Sequence, residues 1–259
     1  MFRTFILIGI LAFGGAAADD GAPGDDSRSI LARYVGAWRG AEEMKLEERV
    51  VMGITITGEG GGEYTVSLDP DGTALLEEGR SPSSAPRLET DIETLRRLDR
   101  DEISAFTAMA RAQWDDPTPL QVHLPPGFRF TEKAKALYFP LTFHFFNRAW
   151  PEVIPFGEGV SRFVHGGNSA IFYYDRGLRT AWYQIKPGMH VNAEAKDQTN
   201  PFPSLFIFTR GAVQARFDGE ERTCTEGEAV LVPAGMTHEF WAGPDQYGEL
   251  ILIMFGEGA

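Results

Sequence analysis

Two kinds of hydrophobic periodicity divide the chain. Between residues 27 and 116, segments with apolar residues at helical spacing are mixed with segments in which apolar and polar residues alternate. The first pattern is typical of amphipathic helices and the second of half-buried strands. From residue 166 to residue 259 only short strand-like segments recur, separated by glycine-containing turns. The pattern predicts an α+β first domain, residues 27–116, followed by an all-β second domain, residues 166–259.

The first domain is predicted to begin with a helix that Ser27 caps. Apolar residues share one face of that helix: Ile30, Leu31, Tyr34, Val35 and Trp38. Strands are expected at 50–57, 63–68 and 73–79, because β-rich runs are separated there by the turn sequences GEGGG and DPDG.

Two short helices are predicted after the third strand. Thr90 and Glu93 have the spacing of a capping box, and Asp101 is a suitable cap for the second helix. The runs GITITGEGGGEYTVSLDPDGTALLEEG and LETDIETLRRLDRDEISAFTAMARA resemble the sterol-carrier-protein type of lipid-binding domain over residues 30–112. The resemblance implies an apolar tunnel for an acyl chain or a sterol. A generic domain with a closed core is the alternative, because a core and a tunnel use the same apolar residues.

Residues 117–165 are predicted to form a connector rich in proline and aromatic residues. Its aromatic part, residues 136–156, has neither clean helical nor clean strand periodicity. Two interpretations stay open: the segment packs the two domains together, or it lines the entrance to a ligand site.

The second domain is predicted to be an antiparallel sandwich or barrel. Its strand-like segments read AIFYYD, TAWYQI, LFIFTR, AVQARFD, AVLVP and ELILIMF, and a turn is expected at Arg210 and Gly211. The run GEAVLVPAGMTHEFW, with Gly227, Pro233, Gly235 and His238, resembles the second motif of the cupin superfamily. The resemblance implies a jelly-roll barrel with His238 pointing inward.

A metal-binding cupin would need a first motif that supplies most of the ligands, and that motif is broken here. Counting from Gly188 and Gly211 puts Glu194, Lys196 and Ser204 where the family has its ligands. A substitute set is His190, Asn192 and Glu194, which share one face if the segment is extended, together with His238. These residues could hold one divalent zinc, iron or manganese ion. The alternative is a hydrogen-bonded His238 and no metal.

Without a metal, the barrel mouth could still bind a ligand. The predicted lining is aromatic and consists of Trp182, Phe206, Phe208, Phe240 and Trp241. The barrel could also serve as a homodimerisation module.

Residues 1–18 have the charged start, apolar stretch and A-x-A site of a secretory signal, and residues 19–26 are predicted to be a flexible leader. We therefore expect a periplasmic or secreted product with no stable membrane insertion after cleavage. The net charge of −13 argues against nucleic acid. The single cysteine, Cys224, excludes an internal disulfide.

These observations predict a two-domain binding protein for an apolar or small organic ligand, a lipid included. A metal-dependent cupin enzyme of the oxygenase or isomerase type, using a His/Glu site, is one alternative. A structural dimerisation module is the other.

Overall fold

The computed structural model describes residues 26–38, 46–129, 131–147 and 151–259. The predicted signal segment, residues 1–18, and all of the predicted leader except Asp26 lie outside these residues. We refer to residues 26–147 as the N-terminal half and to residues 151–259 as the C-terminal half. No helix within the described ranges has the length and apolar character that a membrane-crossing helix needs.

A five-stranded mixed sheet forms the base of the N-terminal half. Its strands are β1 (Val50–Thr57), β2 (Gly62–Leu68), β3 (Ala74–Glu78), β4 (Arg87–Asp91) and β5 (Leu120–His123). The spatial order is β3-β2-β1-β4-β5, with β1 and β4 parallel and the other neighbours antiparallel. The first three strands lie where the sequence predicts them. Residues 117–165 are predicted to be a connector, but part of this segment belongs to the fold of the N-terminal half. The strand β5 lies within it and forms one edge of the sheet.

Helices cover the sheet of the N-terminal half. They are α1 (Ser27–Ala37), α2 (Ile92–Asp99), α3 (Ala105–Ala108) and α4 (Glu132–Phe145). Apolar side chains of α1 and α2 pack on the strands in one buried cluster that includes Ile30, Leu31, Leu95 and Leu98. The helix α4 includes residues 136–145, the first part of the aromatic segment for which no clean periodicity is visible in the sequence.

The helix caps differ from the predicted ones by one to three residues. Asp26, Asp91 and Ser104 cap α1, α2 and α3, each by accepting a backbone N–H of the first turn. Ser27 lies inside α1, where its hydroxyl bonds to the carbonyl of Gly60 and the hydroxyl of Tyr64. Thr90 belongs to β4, because strand pairing with β5 extends to that residue.

The C-terminal half is an antiparallel sheet of nine strands that curls on itself. Its strands are β6 (Arg162–Val164), β7 (Gly167–Asp175), β8 (Leu178–Ile185), β9 (His190–Val191), β10 (Ser204–Phe217), β11 (Glu220–Thr225), β12 (Ala229–Val232), β13 (His238–Trp241) and β14 (Tyr247–Phe255). The hydrogen-bonded order is β6-β7-β8-β14-β10-β13-β9, and β11 and β12 also pair with β10. The sheet begins at Arg162, a few residues before the predicted domain start.

The predicted turn at Arg210 and Gly211 is wrong. These residues lie inside β10, one strand of 14 residues that merges two predicted strands. The register with β14 shifts between Phe208 and Arg210, so an irregularity takes the place of the turn. Beyond it, β10 exchanges its neighbours and pairs with β11 and β13.

The two halves are packed against each other through α3, α4 and β7. Thr107 on α3 accepts the backbone N–H of Ile171 at 2.9 Å, and Phe143 of α4 lies against Tyr174 of β7 with ring centroids 6.2 Å apart. Arg162 donates to the carbonyl of Pro117 at 2.9 Å. The contacts of α4 thus give the aromatic segment the packing role that the sequence leaves open.

Candidate functional site

The predicted metal ligands His190 and His238 lie on opposite faces of the same sheet. His238 and Phe240 alternate along β13 and point into the barrel, where they are 2% and 1% exposed. Trp241 therefore points outward. His190 on β9 is the direct partner of Trp241 and shares that outer face. The two imidazole rings are separated by the backbone of the sheet.

Asn192 and Glu194 do not share a face with His190 either. The strand β9 ends at Val191, and Asn192 has a left-handed backbone with φ of 57°. Glu194 precedes a 3-10 turn and pairs with Lys196 at 3.1 Å on the surface. Within the described ranges no three His, Cys, Asp or Glu side chains are grouped to hold a metal ion. The predicted ligand set of His190, Asn192, Glu194 and His238 is not assembled, because the strand it required is only two residues long.

His238 and His190 have other partners. His238 Nδ1 lies 3.2 Å from the carbonyl oxygen of Met236, and burial lowers the pKa of this histidine. His190 Nε2 lies 2.7 Å from Glu239 Oε2, and Arg216 pairs with the other oxygen of the same carboxylate. Glu239 is 6% exposed, so these two partners compensate a buried charge.

The predicted aromatic lining of the barrel mouth is not one surface. Phe206, Phe208 and Phe240 pack together in the barrel core, with centroids of the first and third rings 4.7 Å apart. Trp182 and Trp241 lie on the other face of the sheet. The indole nitrogen of Trp182 donates to Glu249 at 3.3 Å. The three phenylalanines fill the interior where the sequence predicts a ligand, because inward-facing aromatic residues can serve as core or as lining.

A cavity of about 400 Å³ instead lies where the two halves meet. Its walls come from the N-terminal sheet, from α3 and the segment after it, from α4, and from the strands β7, β8 and β14. The lining is mostly apolar and includes Met52, Leu88, Leu141, Ile171, Ala181 and Met254. A mostly apolar cavity of this size with a few polar groups is typical of small-molecule sites.

The polar side chains of the cavity include arginines, tyrosines and one histidine, beside a glutamine and two threonines. They include Arg111, Arg179, His165, Tyr138 and Tyr183. Burial raises the pKa of Tyr183 to about 12 and also raises the pKa of Tyr138, so both phenols are neutral donors near pH 7. Burial lowers the pKa of Arg111, and the Asp116 carboxylate opposes that change.

None of the cavity residues named here is a predicted site residue. Arg111 follows a short helix, and Arg179 lies near the start of a strand, 68 positions later in the sequence numbering. No local motif connects them, because the cavity lies where two sheets from distant parts of the chain meet. The one sequence signal that points to it is the aromatic segment 136–156, because Tyr138, Leu141 and Phe143 of this segment line the cavity.

Comparison with known proteins bears on the C-terminal half. The chain is similar to a Cupin 2 conserved barrel domain protein from Salinispora arenicola CNS-205, at 16% identity, with 40% of this chain and 88% of that chain covered and a TM-score of 0.36. It is also similar to an RmlC-like cupin from Shewanella frigidimarina NCIMB 400, at 15% identity, with 37% and 80% covered and a TM-score of 0.32. No curated protein matches the sequence. Residues 193–255 match the model of the family described as AraC-like ligand binding domain. The C-terminal region of the chain is therefore similar to a cupin-type ligand-binding domain.

Proposed function

We propose that the protein binds a small, mainly apolar organic ligand in the cavity between its two halves. The observation that carries this proposal is the cavity of about 400 Å³, whose apolar walls come from both halves. The match of residues 193–255 to a ligand-binding family supports small-molecule binding by this chain. The filled barrel core favours the seam between the halves over the barrel mouth as the binding place.

The N-terminal half supports a lipid-like ligand. Its elements follow most of the order on which the resemblance to sterol-carrier-type domains rests: a helix, a hairpin, a third strand, a loop and two short helices, with the additional strand β4 between the loop and the helices. Side chains of β1 and β4 and the helix α4 contribute Met52, Leu88 and Leu141 to the cavity. In this proposal the sheet of the N-terminal half supplies the apolar wall of the site.

A cavity-filling substitution tests the binding place. Ala181 is 3% exposed and lines the cavity, so Ala181→Phe should occupy part of its volume. We expect this variant to bind the neutral dye Nile red, or neutral 1-decanol in competition with it, at least about tenfold more weakly than the unchanged chain, a loss of about 1.4 kcal/mol. The same change at Ala229, an exposed residue of β12, is the control. Equal binding by both variants would place the ligand elsewhere.

We also propose that the chain acts outside the cytoplasm, on the signal-like composition of residues 1–18. Cell fractionation followed by N-terminal sequencing tests this proposal. A mature chain that begins at Asp19 in the periplasm or the medium is the expected result. An uncleaved chain that stays in the cytoplasm would contradict it.

A further inference from the structure

The cavity has a charge pattern opposite to that of the whole chain. The sequence contains 37 acidic and 24 basic residues. The described residues that line the cavity nevertheless include two arginines and a histidine and no aspartate or glutamate. An apolar cavity that contains two arginines favours a ligand that brings its own negative charge.

The contacts of the two guanidinium groups leave their charge without a carboxylate partner among the described residues. Arg111 donates to the carbonyl of Trp114 at 3.1 Å and lies over its ring. Arg179 donates to the carbonyl of Gly258 at 3.3 Å, and its Nε is buried with no hydrogen-bond acceptor. A buried guanidinium N–H without an acceptor is costly, and an anionic ligand oxygen would relieve that cost.

Asp116 is the carboxylate that acts on Arg111, and it does not neutralise the cavity. Its oxygen accepts the backbone N–H groups of Ala112 and Gln113 at 3.0 and 2.8 Å. It also lies near a further guanidinium: burial lowers the pKa of Arg162, and Asp116 opposes that change. One carboxylate near two arginines leaves a net positive charge on this side of the cavity.

Tyr174 lines the cavity together with Arg111 and Arg179. The guanidinium of Arg179 lies over its ring, 4.6 Å from the centroid. Both arginines and Tyr174 therefore belong to the lining of one cavity.

We infer that the cavity takes a medium-chain monocarboxylate, with its carboxylate held near Tyr174 by Arg111 and Arg179 and its apolar chain along Met52, Leu141 and Met254. This inference rests on the proposed function and names the chemical class of its ligand. The volume sets the chain length: about 400 Å³ corresponds to roughly 13 waters at about 30 Å³ each. A ligand of on the order of a dozen non-hydrogen atoms, such as decanoate, has this size.

Titration calorimetry with the full chain, stripped of bound lipid by organic extraction, tests the inference. Decanoate is compared with 1-decanol, which has the same apolar chain and no charge. We expect decanoate to bind about 10- to 100-fold more tightly, the range expected for hydrogen bonds to a charged group. Arg111→Met and Arg179→Met should each weaken decanoate binding by a factor in this range and leave 1-decanol binding unchanged.

The control is Arg222→Met, which removes an arginine paired with Glu228 at 3.0 Å on the barrel surface. It should not change the affinity for either ligand. Arg111→Lys and Arg179→Lys keep the positive charge and should retain part of the preference for decanoate. If thermal unfolding shows that a methionine variant does not fold, the corresponding lysine variant replaces it in the binding comparison.

Equal affinity of the unchanged chain for decanoate and 1-decanol would overturn the inference and leave the proposed function standing. The inference also fails if the methionine variants weaken the binding of both ligands to the same extent. If neither ligand binds to the stripped chain, both the inference and the proposed function are wrong.

Discussion

His238 shows at the residue scale how a motif can identify a fold without identifying a chemistry. The sequence predicts that this histidine points into the barrel, and its ring lies there beside Phe206, with centroids 5.4 Å apart. Its direction follows from local alternation along β13, which a single sequence reveals. The face taken by His190 depends on pairing between β9 and β13, 49 positions apart, and no local pattern reveals that register.

The pH dependence of stability should reflect the buried His238. Burial lowers its pKa in the folded chain below the ordinary value of 6.5. As the pH falls below about 6.5, the unfolded chain therefore takes up this proton before the folded chain does, and the free energy of unfolding decreases. Urea unfolding of His238→Gln between pH 7 and pH 5 should show a smaller decrease than the unchanged chain. An equal decrease in both proteins would contradict this assignment.

Cys224 should react slowly with thiol reagents in the native chain. It is fully buried, and desolvation raises the pKa of its thiol, so the thiolate fraction is small. At pH 8 we expect alkylation by iodoacetamide to be at least about tenfold slower in the folded chain than in 6 M guanidinium chloride, since reaction requires the thiolate. Mass spectrometry over time measures both rates, and similar rates would show that the thiol is accessible.

At the element scale, β10 organises the C-terminal half. Its first part pairs with β12 and β14, and its second part pairs with β11 and β13. Gly211 lies where these partners change, with φ of 69°. Arginine followed by glycine is a reasonable turn signal, and the prediction of a turn was wrong because an irregular strand and a turn use the same positive-φ glycine.

Gly211→Ala should destabilise the C-terminal half. A Cβ atom there would lie 2.0 Å from the carbonyl oxygen of Tyr247, in addition to the strain of a positive φ. We expect a loss of at least about 2 kcal/mol in the free energy of unfolding. Gly227→Ala is the matched control, because its φ is 85° and no atom lies within 4 Å of the added Cβ. Urea unfolding measures both variants. If both lose a similar free energy of unfolding, backbone strain alone explains the effect and the contact with Tyr247 does not.

At the scale of the whole molecule, the sequence identifies the elements better than their assembly. The bounds of β1 are those predicted, since GEGGG punctuates a strongly alternating run. The union of β5 with the N-terminal sheet and the cavity at the seam arise from contacts between distant segments. Arg111 and Arg179 come together through such long-range contacts, so sequence periodicity could not identify them as site residues.

Thr107 tests the contact between the halves. Its hydroxyl accepts the N–H of Ile171 at 2.9 Å, where the pairing of β7 with β8 becomes irregular. Thr107→Val removes that acceptor from a buried site and should cost about 1–3 kcal/mol. The exposed Thr209→Val, which loses a 3.2 Å bond to the carbonyl of Glu249, should cost much less. Thermal unfolding measures both, and equal losses would contradict the importance of the Thr107 contact.

The position of the cavity has a thermodynamic consequence. Both halves contribute walls to the cavity, so a ligand that contacts both walls favours the packed arrangement of the halves over a separated one. By linkage, the factor by which ligand tightens docking equals the factor by which docking tightens ligand binding. A bound ligand would then reduce the relative motion of the two halves. A further molecule that binds across both halves could distinguish the occupied chain from the empty one.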